Sequence, residues 1–501
     1  CKRLKAAIDL LKNKPSATEW EHPTGIHYRA EGLNLKGKVV ALFSGQGSQY
    51  LNMGKEVLMN FPQLRQLYGY MDSLLLKDNL QPLSEIVFPH PVFGENEKNA
   101  QIAALQRTEY AQPAIGMLSA GYYKVLQQAG FKPDFVAGHS FGELTALWAS
   151  QALSDADYCA LVKARGQAMA APEDPNYDTG AMLAVKEDLG KIESVLKKYP
   201  QVKIANLNSP RQVVLAGHTP DIHELQKVLH DSGCAAVVLP VAAAFHTPLI
   251  AFAQKAFAIA TKSVTFKSPK TPVYTNVTGK QHSTDPKNLQ KTLESQLSNS
   301  VLFKQEIENI YADGGYCFVE FGPRKILTNL VKDILADKPH MAIALNSSPR
   351  KDSDYCLREA VIQLRVAGIT LKNLDPYQVA EPVKPAETKK GLNIKLNGSN
   401  YVSEKTKQRW EKAISEQHQV EIPAAKPVEA VATKTATVSV DKKTGGQGDR
   451  ETRRKKENIE KFISSPTSIS NNNGNGHHKA VVIEDKKIKG QGNKETKQEN
   501  K

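Results

Sequence analysis

The chain has 501 residues, which at roughly 100–200 residues per domain allows two to four domains, and 40% of them are apolar, enough for a buried core. Its net charge is +14, but residues 381–501, with 25 basic and 16 acidic side chains, hold +9 of it, so the mildly basic body argues against a nucleic-acid groove. Five scattered cysteines without a C-x-x-C spacing argue against a disulfide framework or a zinc site. The sequence contains no run of 18 apolar residues, so it predicts no membrane span.

Residues 1–36 differ from the rest of the chain. They contain a short amphipathic stretch at 4–11 and then a polar, irregular run through Trp20 and Gly25. We interpret them as an N-terminal linker. The start at Cys1 rather than Met favours a piece of a longer protein, and the scattered cysteines favour a reducing, cytoplasmic location.

An alternation of strand and helix patterns follows this linker. Residues 39–43 form a buried-strand pattern closed by a Gly-rich loop, and residues 113–129 carry apolar side chains at helical spacing up to Gly130. Residues 135–137 predict a strand, and a helix pattern follows the tight turn at 138–142. This order is typical of an α/β fold with a mostly parallel sheet.

Between about residues 180 and 241 the predicted elements become shorter. They are a strand at 182–185, a helix at 188–198, strands at 202–205 and 212–216, a helix at 220–231 and a strand at 235–241. This βαββαβ order is typical of the ferredoxin-like motif. We therefore predict a small ferredoxin-like subdomain inserted in the larger α/β domain.

The α/β pattern then returns and ends near residue 375. Its predicted elements are strands at 273–277 and 316–321 and helices at 326–335 and 355–367. We place the main domain at residues 37–375.

From residue 376 onward the composition changes to Ala, Pro, Lys, Glu, Thr, Asn and Gly. Such a segment buries too little apolar surface to offset its chain entropy. We predict that residues 376–501 form a disordered linker and tail, apart from a possible short helix at 405–414. The basic run at 450–456 is expected to be solvated, without a nucleic-acid partner.

The run G-H-S-F-G at 138–142 is the clearest local signal for chemistry. Between a strand and a helix, G-x-S-x-G is typical of a nucleophile elbow, in which the glycines admit a sharp turn and the serine stands at the helix N-terminus. The backbone amides there, including that of Phe141, point to where an oxyanion would form. Ser140 is therefore the candidate nucleophile.

A serine nucleophile needs a base from elsewhere in the chain. Among thirteen histidines, His246 is preferred because it lies in a loop after an apolar strand, whereas the His139 side chain is expected to point away from the attacking site. No third carboxylate is evident, so a complete triad is not supported. Arg165 is either a solvated helix residue or, if it faces the serine, a planar partner for a substrate carboxylate.

These residues occur in a series of motifs that strongly resembles the malonyl-CoA:acyl-carrier-protein transacylases. The series covers about residues 38–345 and comprises G-Q-G-S-Q at 45–49, G-H-S-F-G-E at 138–143, Arg165, N-L-N-S-P at 206–210, F-H at 245–246 and F-G-P at 321–323. The stretches 41–54 and 243–249 are most similar to the acyltransferase domain of bacterial polyunsaturated fatty-acid synthases, which are polyketide-synthase-like multienzymes. The resemblance implies a hydrolase-like core.

The resemblance also implies a role for each matching residue. Ser140 would be the acylated nucleophile, His246 its base and Arg165 the ligand of the free malonyl carboxylate. The backbone amides of Gln46 and Phe141 would form the oxyanion hole.

Three further positions follow from the same resemblance. In this family a backbone carbonyl orients the histidine, and the matching residue is Gln296, which agrees with the missing triad carboxylate. Phe245 points to malonyl rather than methylmalonyl, because its ring would crowd an α-methyl branch, a preference of about 1–3 kcal/mol. Ser300 stands where relatives commonly have proline, and we expect no effect on the chemistry.

The implied reaction transfers a malonyl group from malonyl-CoA through Ser140 to the phosphopantetheine thiol of an acyl carrier protein, for fatty-acid or polyketide synthesis. No metal or permanently bound cofactor is expected. The carrier would be a domain of the same synthase or a separate protein, and a ketosynthase domain is expected upstream. The D-S-L sequence at 72–74 lies within the transferase motifs, and we interpret it as a chance match to a carrier site.

Two other functions are compatible with parts of the pattern. A serine hydrolase or thioesterase shares the Ser140–His246 pair, but a hydrolase of neutral acyl chains has no use for a buried Arg165, because an unpaired buried charge costs several kcal/mol. A docking scaffold without catalysis would be expected to lack one of these three residues, and all are present.

Overall fold

The computed structural model describes residues 2–170, 177–374 and 402–415. One compact unit contains all the described helices and strands except the last helix, which belongs to a second unit. The elements are, in chain order, α1 (Lys2–Asn13), β1 (Glu19–His22), β2 (Ile26–Arg29), β3 (Val39–Phe43), α2 (Lys55–Asn60), α3 (Pro62–Leu76), α4 (Leu83–Val87), α5 (Glu95–Gln106), α6 (Thr108–Gln128), β4 (Phe135–Gly138), α7 (Phe141–Ala149), α8 (Asp155–Ala168), β5 (Ala181–Lys186), α9 (Leu189–Leu196), β6 (Lys203–Ser209), β7 (Gln212–Gly217), α10 (Thr219–Asp231), β8 (Ala235–Val238), a 3₁₀ turn (Pro248–Ile250), α11 (Ala251–Thr261), α12 (Pro286–Gln296), α13 (Phe303–Ala312), β9 (Cys317–Phe321), α14 (Ile326–Ile334), β10 (Met341–Ala344), α15 (Ser353–Val366) and α16 (Glu404–Ser415).

The main sheet has four parallel strands in the order β10-β9-β3-β4. The central strand β3 is buried along its whole length, as expected when helices cover both faces of a parallel sheet. Its side chains alternate between the faces: Val40 and Leu42 pack with α13 and α14, whereas Ala41 and Phe43 pack with α6 and α7. The predicted α/β fold with a parallel sheet is confirmed.

The loops that follow β3 and β4 meet at one edge of this sheet. Because the two strands are parallel and adjacent, their carboxyl ends point the same way. The two loops approach so closely that a Cβ on Gly45 would lie 2.4 Å from the carbonyl oxygen of His139. This edge is where the candidate nucleophile lies.

The prediction of a strand at 273–277 is wrong. This segment forms a single bridge to β4 instead of a strand. Val136 accepts a hydrogen bond from Tyr274 (3.1 Å) and donates one to Pro272 (2.9 Å), and there the pairing stops. The chain then turns, because the next backbone amides donate to acceptors outside β4. The Asn276 amide donates to the Glu143 carboxylate at 3.0 Å. A polar partner from the neighbouring helix thus replaces the strand ladder.

A second sheet, antiparallel and in the order β6-β7-β5-β8, is carried with α9 and α10 between α8 and the 3₁₀ turn. The two helices cover one face and enclose a separate apolar cluster. Val301 joins this sheet to the main body, because its amide donates to Ala205 (2.8 Å) and its carbonyl accepts from Leu207 (2.9 Å). Strand β6 is therefore fixed beside the main sheet.

The N-terminal segment is more regular than expected. β1 and β2 form an antiparallel hairpin in which Trp20 and Tyr28 stack with ring centroids 5.2 Å apart, and β2 packs on α15. The predicted irregular run is therefore wrong at residues 19–29. The physical reason is that strands of four residues carry too little periodicity to be recognised, and their burial comes from a helix more than 300 residues along the chain.

The helix α16 agrees with the short helix expected at 405–414. The rest of the predicted disordered tail, including the basic run at 450–456, lies outside the described residues. Within the described ranges, no helix combines the length and apolarity needed to cross a membrane.

Candidate active site

Ser140 lies at the turn between β4 and α7. Its φ of 51° and ψ of −106° fall in a region that residues with side chains rarely adopt, at a cost of about 1–3 kcal/mol. The flanking glycines make room for the turn. A Cβ on Gly138 would lie 2.1 Å from the carbonyl carbon of Gly142, and a Cβ on Gly142 would lie 2.0 Å from the carbonyl oxygen of Phe43. The G-x-S-x-G spacing thus reflects close backbone packing at both glycines.

His246 contacts Ser140 directly. It lies in the loop between β8 and the 3₁₀ turn, and its Nε2 is 2.7 Å from the Ser140 Oγ. Its Nδ1 lies 3.0 Å from the carbonyl oxygen of Gln296 and 3.1 Å from that of Asn299. Because a carbonyl oxygen only accepts hydrogen bonds, Nδ1 carries the proton, and Nε2 is left to accept from the serine hydroxyl.

The surroundings of His246 keep its imidazole neutral. Burial and, after it, the nearby positive charge of Arg165 lower its pKa to about 3, against the two carbonyl hydrogen bonds, which raise it. A neutral imidazole that already accepts from a serine hydroxyl is competent to take its proton. Its orienting partners are backbone carbonyls rather than a carboxylate.

Arg165 is fully buried on α8. Its Nη2 donates to the side-chain oxygen of Gln296 at 3.1 Å, and the guanidinium lies 5.8 Å from the centre of the Phe141 ring. Its Nε and Nη1 have no hydrogen-bond partner among the described residues. Burial lowers its pKa to about 10, against the charge of Glu143, which raises it. The group is therefore a cation with two free donors at neutral pH.

Gln46 and Phe141 have free backbone amides. Gln46 lies in the loop after β3 and Phe141 is the first residue of α7. Neither amide donates to an acceptor within the described part of the chain. Two unpaired N–H groups near a serine at a helix N-terminus can stabilise a developing oxyanion.

One cavity of about 240 Å³ connects most of these residues. Gln46, Ser140 and His246 supply polar groups to its wall. The apolar part of the wall consists of Met169, Met182, Ala184, Val214, Leu239, Val241, Phe245, Ile326, Leu327 and Leu330. The second sheet therefore closes the pocket over the edge of the main sheet. Arg165 is not part of this wall, and Gln296 connects it to Ser140, which is.

A serine, a neutral histidine and free amides around an apolar pocket can carry out acyl transfer. Residues 40–372 match the family described as the acyl transferase domain. The chain belongs to this family.

Relatives of this acyl transferase domain come from synthases and from single enzymes. A polyunsaturated fatty acid synthase polypeptide of Thraustochytrium sp. is 34% identical over 408 residues, which is 79% of this chain and 14% of that protein. The malonyl CoA-acyl carrier protein transacylase of Bacillus subtilis is 32% identical over 303 residues, 59% of this chain and 90% of that protein. The solved acyl-carrier-protein-S-malonyltransferase of Bartonella henselae has a TM-score of 0.56 at 30% identity, covering 66% of this chain and 100% of that one.

The acyl transferase domain also contains a buried polar cluster that the sequence analysis missed. Asn276 Oδ1 accepts a hydrogen bond from the Ser140 amide at 2.6 Å. Glu143 accepts from the Asn276 amide, and its other oxygen lies 2.7 Å from His282 Nε2. Glu143 follows the elbow motif directly, so a carboxylate on a buried helix was an available signal. Nothing in the local sequence marks Asn276 or His282.

His139 lines the same cavity as Ser140, but the Ser140 hydroxyl bonds His246 instead. The His139 Nε2 lies 2.7 Å from the side-chain oxygen of Asn208, and its ring packs edge-on against Phe303 at 5.3 Å. Burial lowers its pKa. His139 thus bonds to β6 of the second sheet and holds that sheet against the elbow.

Ser300, which replaces the usual proline of the transacylases, has a structural contact. Its hydroxyl donates to the carbonyl oxygen of Ile204 at 2.6 Å. It therefore supports the junction at Val301 and makes no hydrogen bond with His246 or Ser140.

Proposed function

We propose that this acyl transferase domain transfers a malonyl group from malonyl-CoA to the phosphopantetheine thiol of an acyl carrier protein. The observation that carries the proposal is Arg165, a buried cation with two free donors that is linked through one residue, Gln296, to Ser140 and His246. Leaving such a charge unpaired costs several kcal/mol. An acyl group that brings its own carboxylate removes that cost, because a planar guanidinium binds a carboxylate through two parallel hydrogen bonds.

The first half-reaction acylates Ser140. His246 Nε2 takes the hydroxyl proton as the Ser140 Oγ attacks the thioester carbon of malonyl-CoA. The amides of Gln46 and Phe141 stabilise the oxyanion of the tetrahedral intermediate. When that intermediate collapses, the carbon–sulfur bond breaks, and CoA leaves as a thiol with the proton from His246.

The second half-reaction reverses these roles with a different thiol. The phosphopantetheine thiol of the carrier gives its proton to His246 and attacks the malonyl ester. The ester bond breaks and Ser140 regains its proton. The two substrates therefore use one site in turn, in a ping-pong sequence. No metal or permanently bound cofactor takes part.

Phe245 sets the preference among dicarboxylic acyl groups. It is 5% exposed, lines the cavity and precedes His246 in the chain. An α-methyl branch would crowd its ring, so the domain prefers malonyl over methylmalonyl by about 1–3 kcal/mol.

The partner is an acyl carrier protein, either a domain of the same synthase or a separate protein, and we infer a ketosynthase domain upstream and a cytoplasmic location. The polyunsaturated fatty acid synthase relative supports the synthase context, and the Bacillus subtilis transacylase supports the carrier. We propose no nucleic-acid partner and no membrane span.

We also propose the division of the chain. The acyltransferase domain covers residues 37–375, with a hydrolase-like core and a ferredoxin-like subdomain at about 180–241. The strand order β6-β7-β5-β8 with two covering helices supports the subdomain. Residues 1–36 are a linker that contains the β1–β2 hairpin, and residues 376–501 are a low-complexity linker or tail.

Intact mass after brief incubation with malonyl-CoA, without a carrier, tests the proposed activity. The expected result is a malonyl-sized gain in the chain that is absent from Ser140→Ala. Addition of a phosphopantetheinylated carrier should remove the gain and transfer it to the carrier.

Two other outcomes would contradict the proposal. Consumption of malonyl-CoA without an adduct on the chain or the carrier would favour a thioesterase with the same serine and histidine. Neither adduct nor consumption by the folded protein would favour a docking scaffold.

A further inference from the structure

A buried carboxylate, Glu143, lies beneath the nucleophile and has no part in the proton transfers described above. It belongs to the first turn of α7, is 0% exposed and does not line the cavity. One oxygen accepts from Gln296 Nε2 at 2.8 Å and from the Asn276 amide at 3.0 Å, and the other contacts His282. Burial of a carboxylate is costly unless hydrogen bonds compensate it, so a carboxylate with this many partners in the core is expected to have a specific role.

The Gln296 carboxamide has a defined orientation because of Glu143. Its Nε2 donates both to Glu143 and to the carbonyl oxygen of Ser140 at 2.7 Å, which leaves its Oε1 to accept from Arg165. A flipped amide would place its oxygen against the carboxylate and its NH₂ against the guanidinium, and both contacts are repulsive. The negative charge of Glu143 thus acts together with the Ser140 carbonyl to turn the oxygen of the amide toward Arg165.

Gln296 connects three parts of the site. Its side chain bonds Ser140 and Arg165, while its backbone carbonyl accepts from His246 Nδ1 at 3.0 Å. Rotation of the carboxamide would therefore release the Arg165 guanidinium and the Ser140 carbonyl together, while the backbone bond to His246 remained. The effect of losing Glu143 is expected on the arginine more than on the base.

Asn276 completes the support of the strained turn. Its Oδ1 accepts from the Ser140 amide, and its Nδ2 donates to the Gly138 carbonyl (2.7 Å) and to Glu306 (2.8 Å). The amide and the carbonyl of Ser140 are thus each held by a side-chain carboxamide, and both carboxamide residues bond to Glu143. Such contacts on both sides hold a backbone in a φ/ψ region that it would otherwise leave.

The charge in this cluster is on Glu143. Burial raises its pKa, but hydrogen bonds and charge from His282, and hydrogen bonds from Asn276 and Gln296, outweigh burial and lower it overall. The neighbouring Glu306 has the opposite state, because burial and the charge of Glu143 raise its pKa well above the usual range. Glu306 is therefore a neutral acid that is as buried as Glu143. Asn276 connects the two, because its amide donates to Glu143 and its side chain donates to Glu306.

We propose that Glu143 is a positioning residue that acts through Gln296: it sets the carboxamide so that Arg165 offers its free nitrogens to the malonyl carboxylate. This inference rests on the malonyl transfer proposed above. Because acetyl has no carboxylate, the contribution of Glu143 should appear as selectivity between malonyl and acetyl.

The test compares kcat/KM for loading from malonyl-CoA and from acetyl-CoA. Glu143→Gln keeps the shape of the side chain but lets it either accept from Nε2 or donate to Oε1 of Gln296, so it no longer selects one orientation of that carboxamide. The malonyl-to-acetyl ratio is expected to fall at least tenfold, mainly through a higher KM for malonyl-CoA. Glu306→Gln is the matched control, since it replaces a neutral acid by a neutral amide at equal burial, and its ratio should stay within twofold of wild type.

A second variant shows whether the effect passes through Gln296. Gln296→Met removes the carboxamide at similar volume and should lower the ratio as much as Glu143→Gln does. If Glu143 acts through Gln296, the double variant should be no worse than Gln296→Met alone. Gln296→Met also provides the answer if Glu143→Gln does not fold.

Three results would overturn the inference. They are an unchanged ratio in Glu143→Gln, an unchanged ratio in Gln296→Met, and losses that add in the double variant. A wild-type chain that forms no malonyl adduct would instead contradict the proposed function, so the two failures are distinguishable.

Discussion

At the residue scale, the positive charge of Arg165 affects the protonation of His246. Burial and the guanidinium together lower the pKa of the imidazole to about 3, and burial lowers the pKa of Arg165 to about 10. The base is therefore in its accepting form, and the cation in its charged form, across the whole neutral range. Two backbone carbonyls orient the ring without the negative charge that would oppose this effect.

These two pKa values predict the pH profile of malonyl loading. Because the proton-accepting form of His246 is present at any pH above its lowered pKa, kcat/KM should stay flat through pH 6.5, where an ordinary histidine would titrate. It should fall as the pH rises through about 10, where Arg165 loses its charge, and loading from acetyl-CoA should lack that alkaline decrease. Initial rates from pH 5 to 10.5 provide the measurement, and a midpoint near 6.5 would contradict the neutral buried base.

Replacement of the arginine predicts a change in acyl selectivity. Arg165→Ala should lower kcat/KM for malonyl-CoA by roughly tenfold or more, because a hydrogen bond between charged groups contributes about 1.5–3 kcal/mol. Acetyl loading should be unchanged or faster. Arg165→Lys, which keeps the charge but loses the planar pair of donors, should lie between wild type and Arg165→Ala. An equal loss for both acyl groups would refute the carboxylate contact.

At the element scale, the β4–α7 turn requires glycine at positions 138 and 142, because neither position has room for a Cβ. Gly142→Ala should destabilise the fold by about 1–3 kcal/mol or more, since its Cβ would lie 2.0 Å from backbone of β3, which cannot move without breaking the sheet. Chemical denaturation of the full chain measures the change. Gly69→Ala on α3 is the control, because its Cβ meets nothing within 4 Å, and it should gain about 0.5–1 kcal/mol. A similar loss in both variants would contradict this explanation.

The elements that were predicted well are those with local signals. β3 has a continuous apolar run, the helix α14 has apolar residues at helical spacing, and the elbow has its glycines. The strand predicted at 273–277 failed because the Asn276 amide bonds to Glu143, a partner 133 residues away. The β1–β2 hairpin was missed because its burial comes from α15.

At the scale of the whole molecule, the pocket exists because two sheets meet. The main sheet brings the loops after β3 and β4 to one edge. Met182, Ala184 and Val214 of the second sheet line the same cavity as these loops. The contacts that hold the second sheet in place include the bridge at Val301, the Ser300 hydroxyl and the bond between His139 and Asn208. Ser140 and part of the pocket wall therefore come from different sheets.

The amino-acid sequence by itself predicted the candidate site residues that belong to short motifs. Ser140 was evident from its glycines, His246 from its loop, and Arg165, Gln46, Phe245 and Gln296 from their places in a family series. The tertiary structure alone decided how these side chains are oriented. Asn276 and Gln296 reach Ser140 from 136 and 156 residues away. No local pattern encodes such contacts, because they form only when the sheet pairs its strands and the core excludes the water that would otherwise satisfy these groups.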